Sequence, residues 1–315
     1  MKQWFILAVK AAFTAGLLWW LIGQIEWDMM AARLRELDPA FLALALGAVL
    51  VAYNLLIVRW SAVNRGISIG LSLGRTARYS WIGAFFNQTL PSTIGGDAVR
   101  IWYLYRTGET LIRATTSLLL DRLCGLSGLL LIVLFSQPLI FEFVPSAPAR
   151  WSLAALIGAG GAAILTFVLM GRFRISLLDR WAVTQHLAAM ARDADTLFRN
   201  PVAAGLALCF AVAIQLLIVV VVWLVGQSMG GVVTFAQCLA FVPPVILAAT
   251  IPISVAGWGV REGAMVVAFG YVGVSATDAV TISVIFGLLM ITAGLPGGLV
   301  WLLSGRSEAA RMKNL

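Results

Sequence analysis

Charged residues are scarce in this chain: only 11% of its 315 residues are Asp, Glu, Lys or Arg, whereas 61% are hydrophobic. A soluble globular domain could not cover that much apolar surface with so few charges. The three cysteines, Cys124, Cys209 and Cys238, lie inside apolar runs without CxxC spacing, and His186 is the single histidine. These absences argue against a disulfide framework, a metal site and histidine-based catalysis, and we expect no cofactor.

Acidic residues are fewer than basic ones, with 14 Asp and Glu against 22 Lys and Arg, and the formal net charge is +8. The basic residues are scattered between apolar segments, not clustered on one soluble face. This distribution is typical of cytoplasmic loops in a membrane protein, so we expect no nucleic-acid partner. No P-loop motif is present, so ATP is not expected to drive any transport.

Long apolar runs dominate the remainder, and the mean hydropathy is +0.96. Runs of about 20 apolar residues are long enough to cross a bilayer core of roughly 30 Å. We therefore predict an all-α, polytopic transmembrane helical bundle. Lys10 interrupts the first run and no cleavage site follows it, so we interpret that run as a retained helix. The predicted crossings are 4–25, 40–60, 115–137, 151–171, 202–225 and 280–303.

The loop charges predict the orientation. Residues 59–78 contain four arginines and no acid, 172–199 contain five arginines, and 226–234 contain no charge. The positive-inside rule then predicts that both termini are cytoplasmic. We expect the chain to lie in the inner (plasma) membrane of the cell. Segment 79–106 is flanked by arginines on both sides, whereas 235–271 is flanked by uncharged loops. We predict that these two segments are re-entrant helical hairpins, one from each face, which accompany six full spans.

The connection 172–199 is predicted to be a cytoplasmic amphipathic connector. Its apolar residues recur at three- and four-residue steps, with arginines between them. This pattern fits a helix on the lipid surface and equally a helix that packs on the protein.

Two similar segments interrupt the apolar runs: LPSTIGGDAVR at 90–100 and IPISVAGWGVR at 251–261. Such repetition indicates internal duplication. Three predicted crossings separate the copies, so the second is inverted relative to the first. We predict a single membrane domain, 1–315, with a first repeat at about 1–137 and a second at about 151–303. The residues that match in register include Pro91 with Pro252, Gly96 with Gly257, and Arg100 with Arg261.

The chemistry of both segments favours an anionic ligand. An arginine at membrane depth costs at least ~2.5–3.5 kcal/mol, which a simple turn does not require. Helices that restart after these glycines, at Asp97 and near Trp258, would present N–H groups to a phosphate. Arginines one turn later could hold it in a bidentate grip. The predicted headgroup site comprises Arg100, Arg261, Gly95, Gly96, Gly257 and Gly259, with hairpin breaks at Pro91 and Pro252.

Acidic residues nearby leave two interpretations open. Asp97 could cap its helix or pair with Arg100. Glu262 directly follows Arg261, so Arg261 and Glu262 are predicted to point to different helix faces. Asp121 and Arg122 lie near the start of span 115–137. The set Asp97, Asp121, Arg122 and Glu262 could form structural ion pairs or could exchange partners as gating residues.

The chain resembles the lysylphosphatidylglycerol synthase transmembrane region family, also described as flippase-like integral membrane proteins. The resemblance rests on FFNQTLPSTIGGDAVR at 85–100, LLLDRLCGL at 118–126 and IPISVAGWGVREGAM at 251–265. The family similarly has Pro…GGD…R, DR-x-x-GL and GxGxRE elements. It implies a polytopic fold with inverted repeats and, for some members, movement of phospholipid or polyprenyl-type lipids between leaflets.

The resemblance implies that Asp97, Arg100, Asp121, Arg122, Arg261 and Glu262 are the polar positions that matter. The aminoacyl-lipid synthases carry a cytoplasmic acyltransferase domain after the membrane region, whereas only about ten polar residues follow Leu303 in this sequence. Aminoacyl transfer by this chain alone is therefore not expected. The leading hypothesis is a non-enzymatic flippase for an anionic lipid. The alternatives are an accessory subunit that acts with a separate lipid-synthesis enzyme, and a membrane enzyme that uses Asp97, Asp121 or Glu262 as acid or base.

Overall fold

The computed structural model describes residues 14–17, 19–90, 95–172, 182–250 and 258–313. Regular structure throughout these ranges is helical, without β-strands, which confirms the all-α prediction. Helical residues within 14–22 precede the labelled helices. These are α1 (Trp27–Arg35), α2 (Pro39–Gly66), α3 (Leu73–Thr89), α4 (Gly95–Tyr105), α5 (Leu111–Phe135), α6 (Gln137–Phe143), α7 (Ala147–Arg172), α8 (Ala182–Arg199), α9 (Pro201–Ser228), α10 (Phe235–Thr250), α11 (Val260–Gly270) and α12 (Ala276–Lys313).

Five helices in the described part of the chain are long and apolar enough to cross a membrane. They coincide with five of the six predicted crossings, and the sixth, 4–25, lies in part outside the described residues. The chain is therefore an integral, multi-pass membrane protein. The five segments are Pro39–Gly66, Leu111–Phe135, Ala147–Met170, Pro201–Ser228 and Ala276–Ser304.

Two of the apolar spans, α2 and α9, begin in the same way. Asp38 caps α2 by accepting the N–H of Ala40 at 2.8 Å, and Asn200 caps α9 by accepting the N–H of Ala203 at 3.1 Å. A proline follows each cap, where its missing N–H and fixed φ favour the first helical turn. Each helix runs for 28 residues, and the two pack along one another.

Each predicted hairpin segment contains two shorter helices that pack together: α3 with α4, and α10 with α11. The second arm has 11 residues in both cases and rises only about 16 Å, roughly half of a bilayer core. The connecting residues 91–94 and 251–257, which include Pro91, Pro252 and Gly257, lie outside the described residues.

Helix neighbours recur in the two halves. In the first half α2 packs on α3, α3 on α4, and α4 on α5. In the second half α9 packs on α10, α10 on α11, and α11 on α12, in the same order. The central α2–α9 contact joins the halves, and α3 and α5 also contact α12 and α9, respectively.

The backbones of α3 and α12 approach each other closely. A Cβ added to Gly297 would lie 1.9 Å from the carbonyl oxygen of Trp81, and one added to Gly298 would lie 2.8 Å from the Phe85 ring. Small residues allow such approach between helices in a membrane, where packing replaces the hydrophobic effect as the driving force. The first arm of the first hairpin is thus fixed against the last span.

Helix α8 lies within the predicted connector 172–199. Its buried residues Ala194 and Leu197 pack into an apolar cluster with α2, α5 and α9. Leu197 packs beside Gly66, the last residue of α2. Of the two interpretations of this amphipathic pattern, packing on the protein therefore describes its C-terminal half.

Candidate functional site

Five charged side chains from three helices form one network beside the first hairpin. Asp121 on α5 accepts hydrogen bonds from Arg59 Nε at 2.9 Å and from Arg100 Nη2 at 3.2 Å. Asp97 on α4 accepts one from Arg122 Nε at 2.6 Å, and its other oxygen lies 3.5 Å from Arg100 Nη1. We call these residues the arginine–aspartate network. It contains the Asp97–Arg100 pair that the sequence analysis considered, together with Arg59 from α2, which was not among the predicted site residues.

The network carries more positive than negative charge. Its three guanidinium groups and two carboxylates leave a net charge of +1. Arg59, Asp97, Arg100 and Asp121 are buried, whereas the Arg122 side chain is 52% exposed. The surplus charge is therefore reachable through Arg122.

The network lies near the middle of helix α5. Asp121 and Arg122 were expected near the start of a span at 115–137, but α5 begins at Leu111. At a rise of about 1.5 Å per residue they lie about 15 Å along α5, near the middle of a membrane-crossing helix. At that depth an unbalanced charge is costly unless a counter-ion meets it.

Aromatic and polar side chains fix Arg100 in place. Its guanidinium carbon lies 4.0 Å from the centroid of Trp60, at cation–π distance. Trp60 donates to Ser117 Oγ at 2.8 Å, and Ser117 donates to Asn64 Oδ1 at 2.5 Å. A buried polar chain thus runs from α2 to α5 behind the arginine. Arg100 Nε is buried without a hydrogen-bond partner.

The predicted glycines allow the hairpin arms to cross closely. A Cβ added to Gly96 would lie 1.9 Å from the Gly83 carbonyl oxygen. The helix begins at Gly95 and not at Asp97, so Asp97 lies in the first turn and is not the N-cap. The Gly96 N–H donates to Asn87 Oδ1 at 2.9 Å, so this amide already has a protein acceptor.

The second hairpin contains a smaller cluster, which we call the arginine–glutamate cluster. Arg261 Nη2 donates to Glu262 Oε1 at 2.7 Å, and Arg261 Nε donates to Ser283 Oγ at 2.9 Å. Ser283 in turn donates to Glu262 Oε1 at 3.0 Å. Glu262 Oε2 accepts the N–H of Gly259, whose φ of +85° favours glycine, at 2.6 Å. The cluster is electrically neutral.

Adjacency in sequence misled the prediction for Arg261 and Glu262. Neighbouring helix residues do not face each other, and these two were expected to point apart. At the first turn of α11 the Glu262 carboxylate folds back to the helix start, and the Arg261 guanidinium reaches it there. Trp258 and Phe286 flank this guanidinium at 5.0 and 5.3 Å.

The structure assembles the predicted residues into two clusters and adds two members. Arg59 was assigned to a cytoplasmic loop, but it lies inside α2 and is buried. The sequence feature that could have indicated this position is the apolar run of α2, which continues past Arg59 to Gly66. Ser283 gave no signal, because a lone serine in an apolar helix is unremarkable in sequence. Gly257, Pro91 and Pro252 lie outside the described residues.

An apolar cavity of about 390 Å³ opens beside the second hairpin. Helices α10 and α11 form one wall, through residues such as Phe241, Pro244 and Val267, while α6 and α7 form the other. Its lining is almost wholly hydrocarbon, which suits an acyl chain better than a polar solute.

Comparison with known proteins gives two matches. Residues 7–297 match the family described as "Lysylphosphatidylglycerol synthase TM region". The chain is also similar to a "UPF0104 membrane protein" of Methanothermobacter thermautotrophicus. The two are 24% identical over 313 residues, which cover 91% of this chain and 88% of the relative.

Proposed function

Because the chain belongs to the lysylphosphatidylglycerol synthase TM region family, we propose that it is a flippase that moves an anionic, phosphate-bearing lipid between the two leaflets of a membrane. The substrate class is a membrane lipid with a phosphate headgroup, either a phospholipid or a polyprenyl-type lipid. The chain acts as a transporter and not as an enzyme.

The net charge of +1 in the arginine–aspartate network is the observation that carries this proposal. A surplus cation at membrane depth attracts an anion, and a phosphate offers oxygens that match guanidinium donors. Arg122 is the exposed member and makes the first contact, while Arg100 and Arg59 supply the field behind it. This assigns Arg122 a binding role in addition to its ion pair with Asp97.

The second hairpin provides the other half of the pathway. Arg261 receives the phosphate when it exchanges Glu262 for the ligand, and the apolar cavity beside α11 accommodates an acyl chain of the same lipid. Helix termini and buried arginines at two inverted hairpins are the plan of transporters with a midplane site.

The proposed topology is six full spans plus two re-entrant hairpins in an inverted repeat, with both termini in the cytoplasm of the plasma membrane. The short second arms and the recurring helix neighbours support this arrangement. Single cysteines at Ser92→Cys and Ile253→Cys, in a chain without its three native cysteines, test it. We expect a membrane-impermeant thiol reagent to label them from opposite sides. Labelling from the same side would contradict the inverted repeat.

Transport is tested with the purified chain in proteoliposomes that contain fluorescent phosphatidylglycerol or fluorescent phosphatidylcholine. We expect faster leaflet exchange of the anionic probe, a loss of about tenfold in Arg122→Gln, where the network becomes neutral, and near-normal exchange in Arg122→Lys, which keeps the charge. Equal rates for both probes, or for Arg122→Gln and the parent, would contradict the proposal.

The same vesicles separate transport from chemistry. A flippase changes the leaflet of its lipid but not the mass, so mass spectrometry of the recovered probe should show no product. A lipid of altered mass would favour a membrane enzyme. Exchange that occurs only after a lipid-synthesis enzyme is added would favour an accessory subunit.

A further inference from the structure

The arginine–glutamate cluster has no spare positive charge for a second anion. Glu262 is 2% exposed and uses both carboxylate oxygens, toward Gly259, Arg261 and Ser283. The Arg261 side chain is only 14% exposed. A phosphate at Arg261 would therefore place two negative charges on one buried guanidinium, and like charges so close in a low-dielectric site do not both remain ionised.

The surroundings of Glu262 offer no other compensation within the described residues. Helix α10 has no charged side chain and contributes only the thiol of Cys238 as a titratable group. On α12 the nearest acid is Asp278, which pairs with Arg33 at 3.0 Å, and the other charged residues lie at the opposite end of that helix. Thr14 and Leu17, which lie beside Gly259, are uncharged.

From this charge balance we propose a further activity: the chain binds a proton together with its lipid at the second hairpin, and Glu262 is the group that binds the proton. The inference rests on the proposed function and names the ion that is bound and released with the lipid there. A proton taken from the aqueous phase protonates the Glu262 carboxylate. The Glu262–Arg261 ion pair breaks, and the guanidinium that it releases binds the phosphate. The cluster is neutral before and after, because the proton's charge balances that of the phosphate.

The first hairpin behaves differently. Its network carries a surplus charge of +1, so a phosphate monoanion neutralises it without any proton. A lipid that passes from the first hairpin to the second therefore takes up one proton, and the return step releases it. Lipid movement would then respond to the pH on the side of the membrane that supplies this proton.

Proton uptake can be measured directly by calorimetry. Dioctanoyl phosphatidylglycerol, whose phosphodiester does not titrate near neutral pH, is added to the detergent-solubilised full chain in two buffers of different ionisation enthalpy. We expect an uptake that approaches one proton per lipid bound at the second hairpin. Affinity there should fall as the pH rises, by about tenfold per pH unit where one full proton is taken up with each lipid. Dioctanoyl phosphatidylcholine is the control ligand.

Two variants assign the proton. In Glu262→Gln the side chain stays neutral, so binding should become independent of pH and tighter than in the parent chain at high pH. Arg261→Gln should lose the proton-linked binding altogether. Melting curves establish that both variants fold.

The possible results are distinguishable. Preferential binding of phosphatidylglycerol that is lost in Arg261→Gln and yet proceeds without proton uptake in the parent chain would overturn the proton coupling and leave the flippase proposal intact. Uptake that persists in Glu262→Gln would also overturn it. Equal binding of the two lipids by the parent chain would overturn the proposed function, and the coupling with it.

Discussion

The two hairpins look alike in sequence but differ in how their arginines are balanced. Both have a second arm of 11 residues with an arginine in its first two turns. Arg100 shares Asp121 with Arg59 and Asp97 with Arg122, so its network draws on three helices. Arg261 is paired with the adjacent residue on its own helix.

This difference separates two roles for a membrane-embedded arginine. The first hairpin joins α2, α4 and α5 through charge, so its arginine is part of the bundle's internal structure. The second hairpin holds its arginine in a local, neutral pair. Breaking a shared buried network leaves several charges uncompensated, whereas breaking a local pair leaves one.

The largest expected effect comes from Asp121→Asn. This change keeps the shape of the side chain but leaves Arg59 and Arg100 without their shared carboxylate and raises the net charge of the network from +1 to +2. Removal of one partner from a buried ion pair costs about 3–5 kcal/mol, so we expect a large fall in melting temperature of the detergent-solubilised chain. Glu262→Gln should cost less, because only Arg261 loses its partner.

A peripheral pair provides the matched control for this prediction. Asp195 and Arg199 form an i,i+4 ion pair at 2.7 Å on α8, with the arginine side chain 64% exposed. Asp195→Asn should change stability by only about 0.3–0.5 kcal/mol. If Asp121→Asn were equally mild, the arginine–aspartate network would not join the helices as described.

The sequence predicted the helical elements better than their contacts. Long apolar runs mark spans whatever their neighbours are, so five predicted crossings coincide with helices. Arg59 was nevertheless assigned to a loop, because positive charge near the end of a span usually marks a cytoplasmic loop. Its burial depends on Asp121, which is distant in sequence and becomes a neighbour only when α2 packs on α5.

The candidate site was predicted as a set of residue types but not as a set of partners. The repeated Pro, Gly and Arg pattern indicated where polar groups interrupt the helices. It could not indicate that the Gly96 N–H has Asn87 as its acceptor, or that the Glu262 carboxylate turns back to Gly259. Those bonds depend on rotamers and helix starts, which local sequence constrains weakly.

A smaller effect is expected from glycine substitutions in the two hairpins. Gly96→Ala in the first would place a methyl group against the Gly83 backbone, which cannot move without separating the arms. We expect a loss of about 1–3 kcal/mol in thermal unfolding experiments. Gly263→Ala in the second hairpin meets no atom within 4 Å and should be neutral or stabilising by about 0.5–1 kcal/mol. Equal losses at both positions would contradict the close crossing at Gly83.

The smallest effect concerns Ser283, which another span supplies as a hydrogen-bond partner of the second arginine. Ser283 on α12 accepts from Arg261 and donates to Glu262, and it is fully buried. Ser283→Ala should cost about 1–2 kcal/mol, because two charged groups lose a hydrogen bond while their own ion pair survives. Ser127→Ala is the control: the Ser127 hydroxyl bonds only the Leu123 carbonyl of its own helix, so its loss should be nearly silent in the same melting experiment. If Ser283→Ala were equally silent, the hydrogen bonds from α12 would not stabilise the arginine–glutamate pair. The arginine of the second hairpin would then depend on other helices even less than the contacts described here indicate.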